Sequence, residues 1–543
     1  MEAGGDPLLA AAAAPLAGVS DYRGRPVWRG NSGGWRSALF VVAVEIAGSF
    51  AYFGISANLI TYLTGPLGQS NASAAAAVNA WSGTASLMPL LGAFLADAYL
   101  GRYASIILAC SLYVLGYGML TVSAAVQQQQ QHQQGLVYAS LYLIAVAQGA
   151  DKPCGLAFAA DQFDAEHPGE RASRGSLFNW WFFCMAVGIS VAVAVVGYIQ
   201  EAVSWGVGFG VPCAIVLAAF IVFLIGTPTY RLSAATAASS YWHLQKHKQQ
   251  QMMQQPSSSP FVRLARGLRA VLLPGGQHDD EQQEDQHQHQ QQQAEEFEQD
   301  ARCVLRLLPI WVSSLAYGVV YAQIMTLFNK QGRTLDRRTI FNKQLPPAAL
   351  QALGPLSILL FVPVYDRALV PALRRATGNP SGLTMLQRVG AGMATSLAAV
   401  SVAALVEARR LAAAREHGLV DRPEATVPMS WAWLLPQYAM MGVADVLAVV
   451  GLQELFYDQM PAGLRSLGLA LYLSVMGLGG LISSVLISLI DASGMGWFDD
   501  NLNRAHLDYF YWLLAAISAV ELALYLAFAR SYVYRRHKHP ATY

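Results

Sequence analysis

Long apolar segments separated by short polar ones form the main pattern of this chain. A transmembrane helix needs about 20 mostly apolar residues, and twelve segments meet this requirement in two sets of six. We therefore predict an all-α membrane protein with twelve transmembrane helices in two six-helix bundles. Numbered one to twelve, the predicted spans are 36–63, 74–96, 103–126, 136–160, 175–199, 206–228, 302–328, 346–364, 383–408, 430–457, 466–490 and 509–530.

The polar segments divide the chain further. Residues 229–301 carry glutamine tracts and an acidic cluster, a composition that cannot bury enough apolar surface to fold alone. Within this linker, residues 260–273 place apolar side chains on one face of a helical projection and arginines on the other. This pattern predicts an amphipathic helix on the inner membrane surface; the alternative is a loop without fixed structure. The predicted domains are a tail (1–35), a bundle (36–228), the linker, a second bundle (302–530) and a second tail (531–543).

Loop charges orient the chain. The segments after spans one, three and five contain no Lys or Arg, whereas those after spans two, four and six do. The positive-inside rule then places both termini in the cytosol, and the membrane is either the plasma membrane or the vacuolar membrane. The exceptions, which fall on predicted outside loops, are Arg333, Arg337, Arg338, Arg409 and Arg410.

Composition narrows the function. Of 543 residues, 54% are hydrophobic and 13% charged, with a net charge of +1, which favours a membrane protein and excludes nucleic acid as a partner. The five cysteines lack metal-ligand spacing, so we expect no metal and no cofactor. No hydrolase, metalloprotease or nucleotide-binding motif is found, and we expect no enzyme activity. The oligomeric state stays open.

Ionisable side chains inside spans mark functional candidates. Lys152 in span four needs an acidic partner or water to stay charged. Neighbouring Asp151 projects about 100° away along the helix, so we expect the partner to be Glu454 in the other bundle, forming a salt bridge that gates transport. The alternative is that both side chains reach water near the helix ends. The other candidates inside spans are Glu45, Asp445 and Glu521.

A weak repeat relates the two halves. Charged turns close spans two and eight, as expected of a duplicated transporter, although such residues also occur as solvated helix caps. The predicted conformational turns contain Gly92, Asp97, Gly101 and Arg102 in the first half, and Asp366 and Arg367 in the second.

With these turns and the charged residues inside its spans, the chain resembles the plant nitrate and peptide transporter family, within the proton-dependent oligopeptide transporter group of the major facilitator superfamily. The resemblance covers residues 35–534. Its sequence blocks are FAYFGISANLITYL, GAFLADAYLGRY, DKPCGLAFAADQFD, SLFNWWFF, MLQRVGAGM, PQYAMMGVADVLAVVGLQELFYDQMP and RSLGLALYLS.

The resemblance implies the major facilitator fold and an alternating-access carrier in which protons move with a small-molecule substrate. Lys152 and Glu454 match the family's lysine in span four and glutamate in span ten. Tyr52, Tyr62 and Tyr321 match cavity-lining positions, and we add Trp311 as a further candidate.

One departure from the family concerns span one. Many relatives carry E-x-x-E-R or E-x-x-E-K there, with two carboxylates and a cation, whereas this chain has Glu45, Ile46, Ala47, Gly48 and Ser49. Only the first glutamate remains, which weakens the expectation of proton coupling through this motif.

A second departure concerns span seven. Tyr321 stands where nitrate carriers have histidine in V-H-A-Q. A phenol does not become a cation near neutral pH, so nitrate would depend more on Lys152.

The predicted function is secondary active transport of nitrate, a peptide or another small organic solute. Two alternatives stay open, a solute sensor that signals through the linker with little flux and a proton-independent facilitator.

Overall fold

The structure is a computed structural model that describes residue 16 and residues 19–126, 130–164, 167–233, 284–338, 344–378, 382–460 and 465–532. The amphipathic segment predicted at 260–273 lies outside these residues. Helices form nearly all of the regular structure.

In the first half of the chain, helix α1 is followed closely by a short α2, and the long helices come after them. The described elements are β1 (Val19–Ser20), α1 (Gly34–Ser56), α2 (Leu59–Thr64), α3 (Asn71–Leu95), a π-helical segment (Ala96–Leu100), α4 (Gly101–Ala125), α5 (Gln130–Asp151), α6 (Gly155–Asp161), α7 (Pro168–Ala202), α8 (Trp205–Gly226), a 3-10 turn (Thr227–Thr229) and β2 (Leu232–Ser233).

In the second half, several helices are interrupted by short irregular segments. They are α9 (Glu284–Val312), α10 (Leu315–Tyr321), a 3-10 turn (Ala322–Ile324), α11 (Leu327–Arg333), β3 (Leu335–Asp336), a 3-10 helix (Pro347–Ala352), α12 (Leu353–Val364), a π-helical segment (Tyr365–Leu369), α13 (Val370–Thr377), α14 (Met385–Glu416), β4 (Val427–Ser430), a 3-10 turn (Trp431–Leu434), α15 (Leu435–Ala444), a π-helical segment (Asp445–Val449), α16 (Val450–Gln459), α17 (Arg465–Ala492) and α18 (Leu507–Ser531).

The strands are accessory to this helical fold. Strand β1 pairs antiparallel with β2, and β3 pairs parallel with β4 with an irregular register.

Nine helices among the described residues are long and apolar enough to cross a membrane, and a tenth is counted if the bent pair Phe297–Val312 and Leu315–Arg333 forms one span. This agrees with the predicted multi-span helical membrane protein.

The described chain divides into two compact units. The first contains residues 19–233 together with Met325–Arg333 and Arg337–Pro355, and the second contains residues 284–324, Thr334–Asp336 and 356–532.

Close backbone crossings and apolar contacts hold the first unit together. The indole N–H of Trp81 in α3 donates to the carbonyl of Leu141 in α5 at 2.7 Å. Near the end of α3, a Cβ at Gly92 would lie 1.7 Å from the carbonyl oxygen of Gly149. The two helices can therefore cross at this distance only if residue 92 has no side chain.

The first unit also includes two segments that the sequence assigned to the second bundle. The side-chain amides of Asn329 and Gln351 both donate to the carbonyl of Ala57, at 2.5 and 2.8 Å. This carbonyl lies at the break between α1 and α2, and Lys330 donates to Thr64 in α2. Polar side chains of residues 325–355 thus donate hydrogen bonds to a backbone carbonyl at the break in span one.

The second unit has an apolar core drawn from five helices. Leu307 of α9, Val389 of α14 and Phe456 of α16 are fully buried there, with Val475 of α17 and Tyr525 of α18. The phenol of Tyr525 satisfies its hydrogen bond by donating to the carbonyl of Leu386 at 2.9 Å.

Two helices begin more than a turn before the predicted spans that they contain. Helix α9 begins at Glu284, inside the predicted linker, because glutamine and glutamate are good helix formers and extend a helix that span seven already nucleates. Helix α7 begins at Pro168, seven residues before the predicted start of span five, with Pro168 in its first turn and the His167 side chain at its N-cap.

Candidate functional site

Lys152 lies at a break in span four. Helix α5 ends at Asp151 and α6 begins at Gly155, because Pro153 has no N–H and its ring clashes with the preceding turn. The Lys152 ammonium donates to Ser49 Oγ at 2.9 Å and lies 3.8 Å from Glu45 Oε2. Within its unit, Lys152 is therefore paired with α1 at two of the positions that the sequence singled out.

The carboxyl group of Glu45 is almost entirely enclosed. Its side chain is 2% exposed, whereas that of Lys152 is 28% exposed. A Cβ at Gly155 would lie 1.6 Å from Glu45 Oε1. Glycine at the start of α6 therefore lets the Glu45 carboxyl approach the backbone of span four beside the lysine.

Asp151 belongs to the same cluster, although we predicted no role for it. It is fully buried, and its Oδ2 lies 3.5 Å from the Tyr113 hydroxyl of α4. A Cβ at Gly48 would lie 3.4 Å from the same oxygen. Asp151 thus faces α1 and α4, a placement that its helical spacing from Lys152 does not reveal.

The two candidate tyrosines of span one are packed inside the first unit. The Tyr52 ring is tilted against that of Trp81, with ring centroids 5.1 Å apart, and its hydroxyl lies 3.4 Å from Ser82 Oγ. Tyr62 contacts the rings of Trp205 and Phe209 at 5.0 and 4.9 Å. These contacts fix the rings, and a cavity-lining role for them stays a prediction.

In the second unit, Glu454 of α16 is paired with Arg388 of α14 at 3.2 Å. Arg388 also donates to the Val446 carbonyl at 3.1 Å and stacks on the Tyr365 ring at 5.1 Å. The Glu454 side chain remains 50% exposed. Each of the two residues predicted to form the gate therefore has an oppositely charged partner in its own unit, and the ion pair between them stays a prediction.

The acidic residues Asp445 and Glu521 are explained by the break in span seven. Helix α9 ends at Val312 and α10 begins at Leu315, which leaves backbone N–H groups open. Glu521 Oε2 of α18 accepts one of them, from Ala316, at 2.6 Å. Asp445 accepts a hydrogen bond from the Tyr317 hydroxyl, so both acids support α10.

The aromatic candidates of span seven lie on either side of this break. The Trp311 indole N–H donates to Ser474 Oγ at 2.9 Å and to the Leu471 carbonyl at 3.1 Å, both in α17. Tyr321 is half-buried at the end of α10, near Tyr317. A contact of either residue with substrate stays a prediction.

The predicted turn after span two is π-helical. The segment Ala96–Leu100 contains Asp97 and ends at Gly101, whose φ of 72° suits glycine. Arg102, the next residue, pairs with Asp161 at the end of α6 at 2.5 Å. The Asp97 side chain lies outside the described atoms.

The turn in span eight has the same form. Tyr365–Leu369 is also π-helical and contains Asp366 and Arg367, both exposed. Such insertions are rare and recur at functional sites. The two turns that the sequence related thus have the same local backbone geometry.

Comparisons with known proteins agree with this architecture. Residues 103–498 match the family model described as PTR2, POT family. The chain is 47% identical to protein NRT1/PTR family 5.10 of Arabidopsis thaliana, over 97% of this chain and 98% of the relative. It is also 47% identical to protein NRT1/PTR family 5.16 of the same plant, over 95% and 96% of the two chains.

Solved structures show the same fold. An auto-inhibited POT family peptide transporter matches with a TM-score of 0.71 and 20% identity, over 93% of this chain and 99% of that one. A POT family transporter in complex with 5-aminolevulinic acid matches with a TM-score of 0.64 and 15% identity, over 92% and 98%. The resemblance stated from the sequence is therefore confirmed, and the chain belongs to the POT family of membrane transporters.

Proposed function

We propose that this protein is a secondary active transporter that carries a small solute by alternating access and couples its movement to protons. The observation that carries the proposal is the enclosed cluster of Glu45, Ser49 and Lys152 at the break in span four. A partly buried lysine that is held by a carboxylate can change partner when that carboxylate is protonated or when an anionic group arrives.

The proposed path contains Glu45, Tyr52, Lys152, Tyr321 and Glu454, with Tyr62 and Trp311 beside it. In one state Lys152 pairs with Glu45 and Glu454 with Arg388, as described. In the other state we propose that Lys152 and Glu454 pair with each other, so that the exchange of partners favours one bundle orientation over the other. The turns around Arg102 and Arg367 would bend during this change.

We propose twelve membrane spans in two bundles. Nine helices among the described residues are recognised as spans by length and hydropathy, and we count the bent pair in span seven as a tenth. Helices α3 (Asn71–Leu95) and α5 (Gln130–Asp151) add two more of sufficient length. Both are rich in alanine, glycine and polar side chains, which lowers their hydropathy but suits close helix packing. Both termini would be cytosolic, in a plasma or vacuolar membrane.

The Lys152 cluster indicates the charge of the substrate. A cation in an enclosed, partly wet site favours a carboxylate, nitrate or another small anion. Structural neighbours include a transporter bound to 5-aminolevulinic acid and another in complex with alafosfalin, and both compounds join nitrate and a dipeptide as reasonable probes.

Uptake in injected oocytes tests this proposal. Nitrate, dialanine and 5-aminolevulinic acid would be supplied at about pH 5.5 and about pH 7.5, a range in which perturbed carboxyl groups titrate. We expect faster uptake of at least one probe at the lower pH, and loss of that uptake in Lys152→Ala. Equal uptake at both pH values would favour a facilitator, and wild-type transport in Lys152→Ala would contradict the proposed path.

A further inference from the structure

The cluster at Lys152 contains two acidic side chains and one basic side chain. Glu45 is 1% exposed and Asp151 is fully buried, and both interact electrostatically with each other and with Lys152. If all three groups were ionised, the site would carry one uncompensated negative charge. Such a charge is costly in a buried setting, and one proton removes it.

Hydrogen bonding leads to the same conclusion. Glu45 Oε1 and Asp151 Oδ1 are buried, and neither has a hydrogen-bond partner among the residues that the structure describes. Two ionised carboxylates are acceptors only, but a proton on one makes it a donor to the other. The other titratable groups around the pair are Lys152, Cys110, Tyr113 and Tyr117.

The position of Asp151 explains why span one can lack its second glutamate. At position 48 the chain has glycine, and a side chain there would meet Asp151 Oδ2 at 3.4 Å. The carboxyl group of Asp151 therefore lies in the space beside residue 48, one helical turn from Glu45. A carboxyl group that span one does not supply is supplied by span four.

We propose that Asp151 is the second carboxyl group of the proton site, and that the Glu45–Asp151 pair binds the transported proton. When the pair takes up a proton, its hold on Lys152 weakens and Lys152 becomes available to substrate or to another partner. This inference rests on the proposed proton-linked function and assigns that function to a residue outside the family motif.

Proton binding without substrate provides the test. Purified full-length protein in liposomes on a solid-supported membrane would receive a pH jump, with protons as the only probe, and the displaced charge would be recorded. We expect a transient current for wild type, loss of most of that current in Asp151→Asn, and no change in the matched control Asp491→Asn, an exposed aspartate. Size-exclusion profiles check that each variant is folded.

A transplanted carboxyl group sharpens the test. In the double variant Gly48→Glu with Asp151→Ala, the glutamate takes the space that Asp151 leaves, and we expect the current to return above that of Asp151→Ala alone. A full current in folded Asp151→Asn would overturn the inference and leave the proposed function standing. No current in wild type would contradict both the inference and proton coupling.

Discussion

Arg231 shows how a single buried charge is held in this protein. Its side chain is 3% exposed and pairs with Glu170 at 2.7 Å, and it donates to the carbonyl of Ser32 at 2.8 Å. Glu170 also pairs with Arg29 at 3.4 Å. These contacts form a charge network that joins the segment before α1, the start of α7 and the segment after α8.

Glu170 is the residue whose loss we expect to open this network. Burial alone would raise the pKa of Glu170, but hydrogen bonds from Arg231 and the backbone of Asp164, with the charges of Arg231 and Arg29, hold it below its ordinary value. We predict that Glu170→Gln lowers the free energy of unfolding by about 3 kcal/mol at neutral pH, because Arg231 stays buried without its counter-ion.

The pH dependence of this effect has a definite sign. Because the folded-state pKa of Glu170 is depressed, its stabilisation is complete above the ordinary carboxyl pKa and is lost as the pH falls through the folded-state value. Thermal unfolding in detergent would show the gap between wild type and Glu170→Gln closing at acidic pH. A gap that stays constant into the acid range would show that the carboxylate charge is not the cause.

At the scale of elements, paired charges explain why some helices run further than expected. Helix α14 continues to Glu416, eight residues past its predicted end. Within the extension, Arg410 is fully buried and donates to both carboxylate oxygens of Glu407, at 2.8 and 2.6 Å, and to Asn503 at 2.8 Å. Its neighbour Arg409 stacks on Trp433 at 4.3 Å.

We predict that Glu407→Gln destabilises the protein by about 3 kcal/mol, because glutamine is neutral and Arg410 then stays buried without its counter-ion. The matched control is Glu416→Gln, an exposed glutamate on the same helix, for which we expect almost no change. Both would be compared by thermal unfolding in the same detergent. Equal melting temperatures for the two variants would show that the buried pair adds little.

Three of the five arginines that disagreed with the positive-inside rule interact with acidic side chains. Arg410 is neutralised by Glu407, and Arg333 and Arg337 interact with Glu201. Charge counting along the sequence treats every arginine as a free cation, whereas an arginine and its acidic partner together carry little net charge. The predicted orientation rests on the loop cations of the first half and stays a prediction.

Span positions followed from hydropathy, because a membrane requires continuous apolar surface and the chain supplies it in long runs. Breaks did not follow as well. Span four was predicted as one continuous helix, although Pro153 interrupts it. The breaks at Ala57 and at Ser313–Ser314 have no proline, and side chains distant in sequence, Asn329 and Glu521, satisfy them. Such long-range hydrogen bonds leave no local pattern to read.

The site was predicted in part for the same reason. Glu45 and Lys152 could be chosen because charges inside spans are rare, and the structure places them 3.8 Å apart. Asp151 was passed over because adjacent residues on one helix do not face each other. Its partners lie on α1 and α4, and only the packing of three helices brings them together.

At the scale of the whole molecule, the two halves share a design. Each carries a π-helical segment at the end of its second predicted span, and each holds a basic residue against a glutamate within its own unit, Lys152 with Glu45 and Arg388 with Glu454. In an alternating-access carrier the two halves must change orientation while the site stays intact. An exchange of ion-pair partners can favour one orientation of the halves over the other without any covalent step.

Simultaneous recording of solute uptake and proton entry tests the central claim most directly. Liposomes containing the full-length protein and a trapped pH-sensitive dye would be supplied with whichever of nitrate, dialanine or 5-aminolevulinic acid the oocytes take up. We predict internal acidification that rises with uptake in wild type, and loss of both signals in Lys152→Ala. Two results would contradict a proton-linked carrier built around this lysine. One is solute uptake without acidification in wild type, and the other is wild-type uptake and acidification in Lys152→Ala.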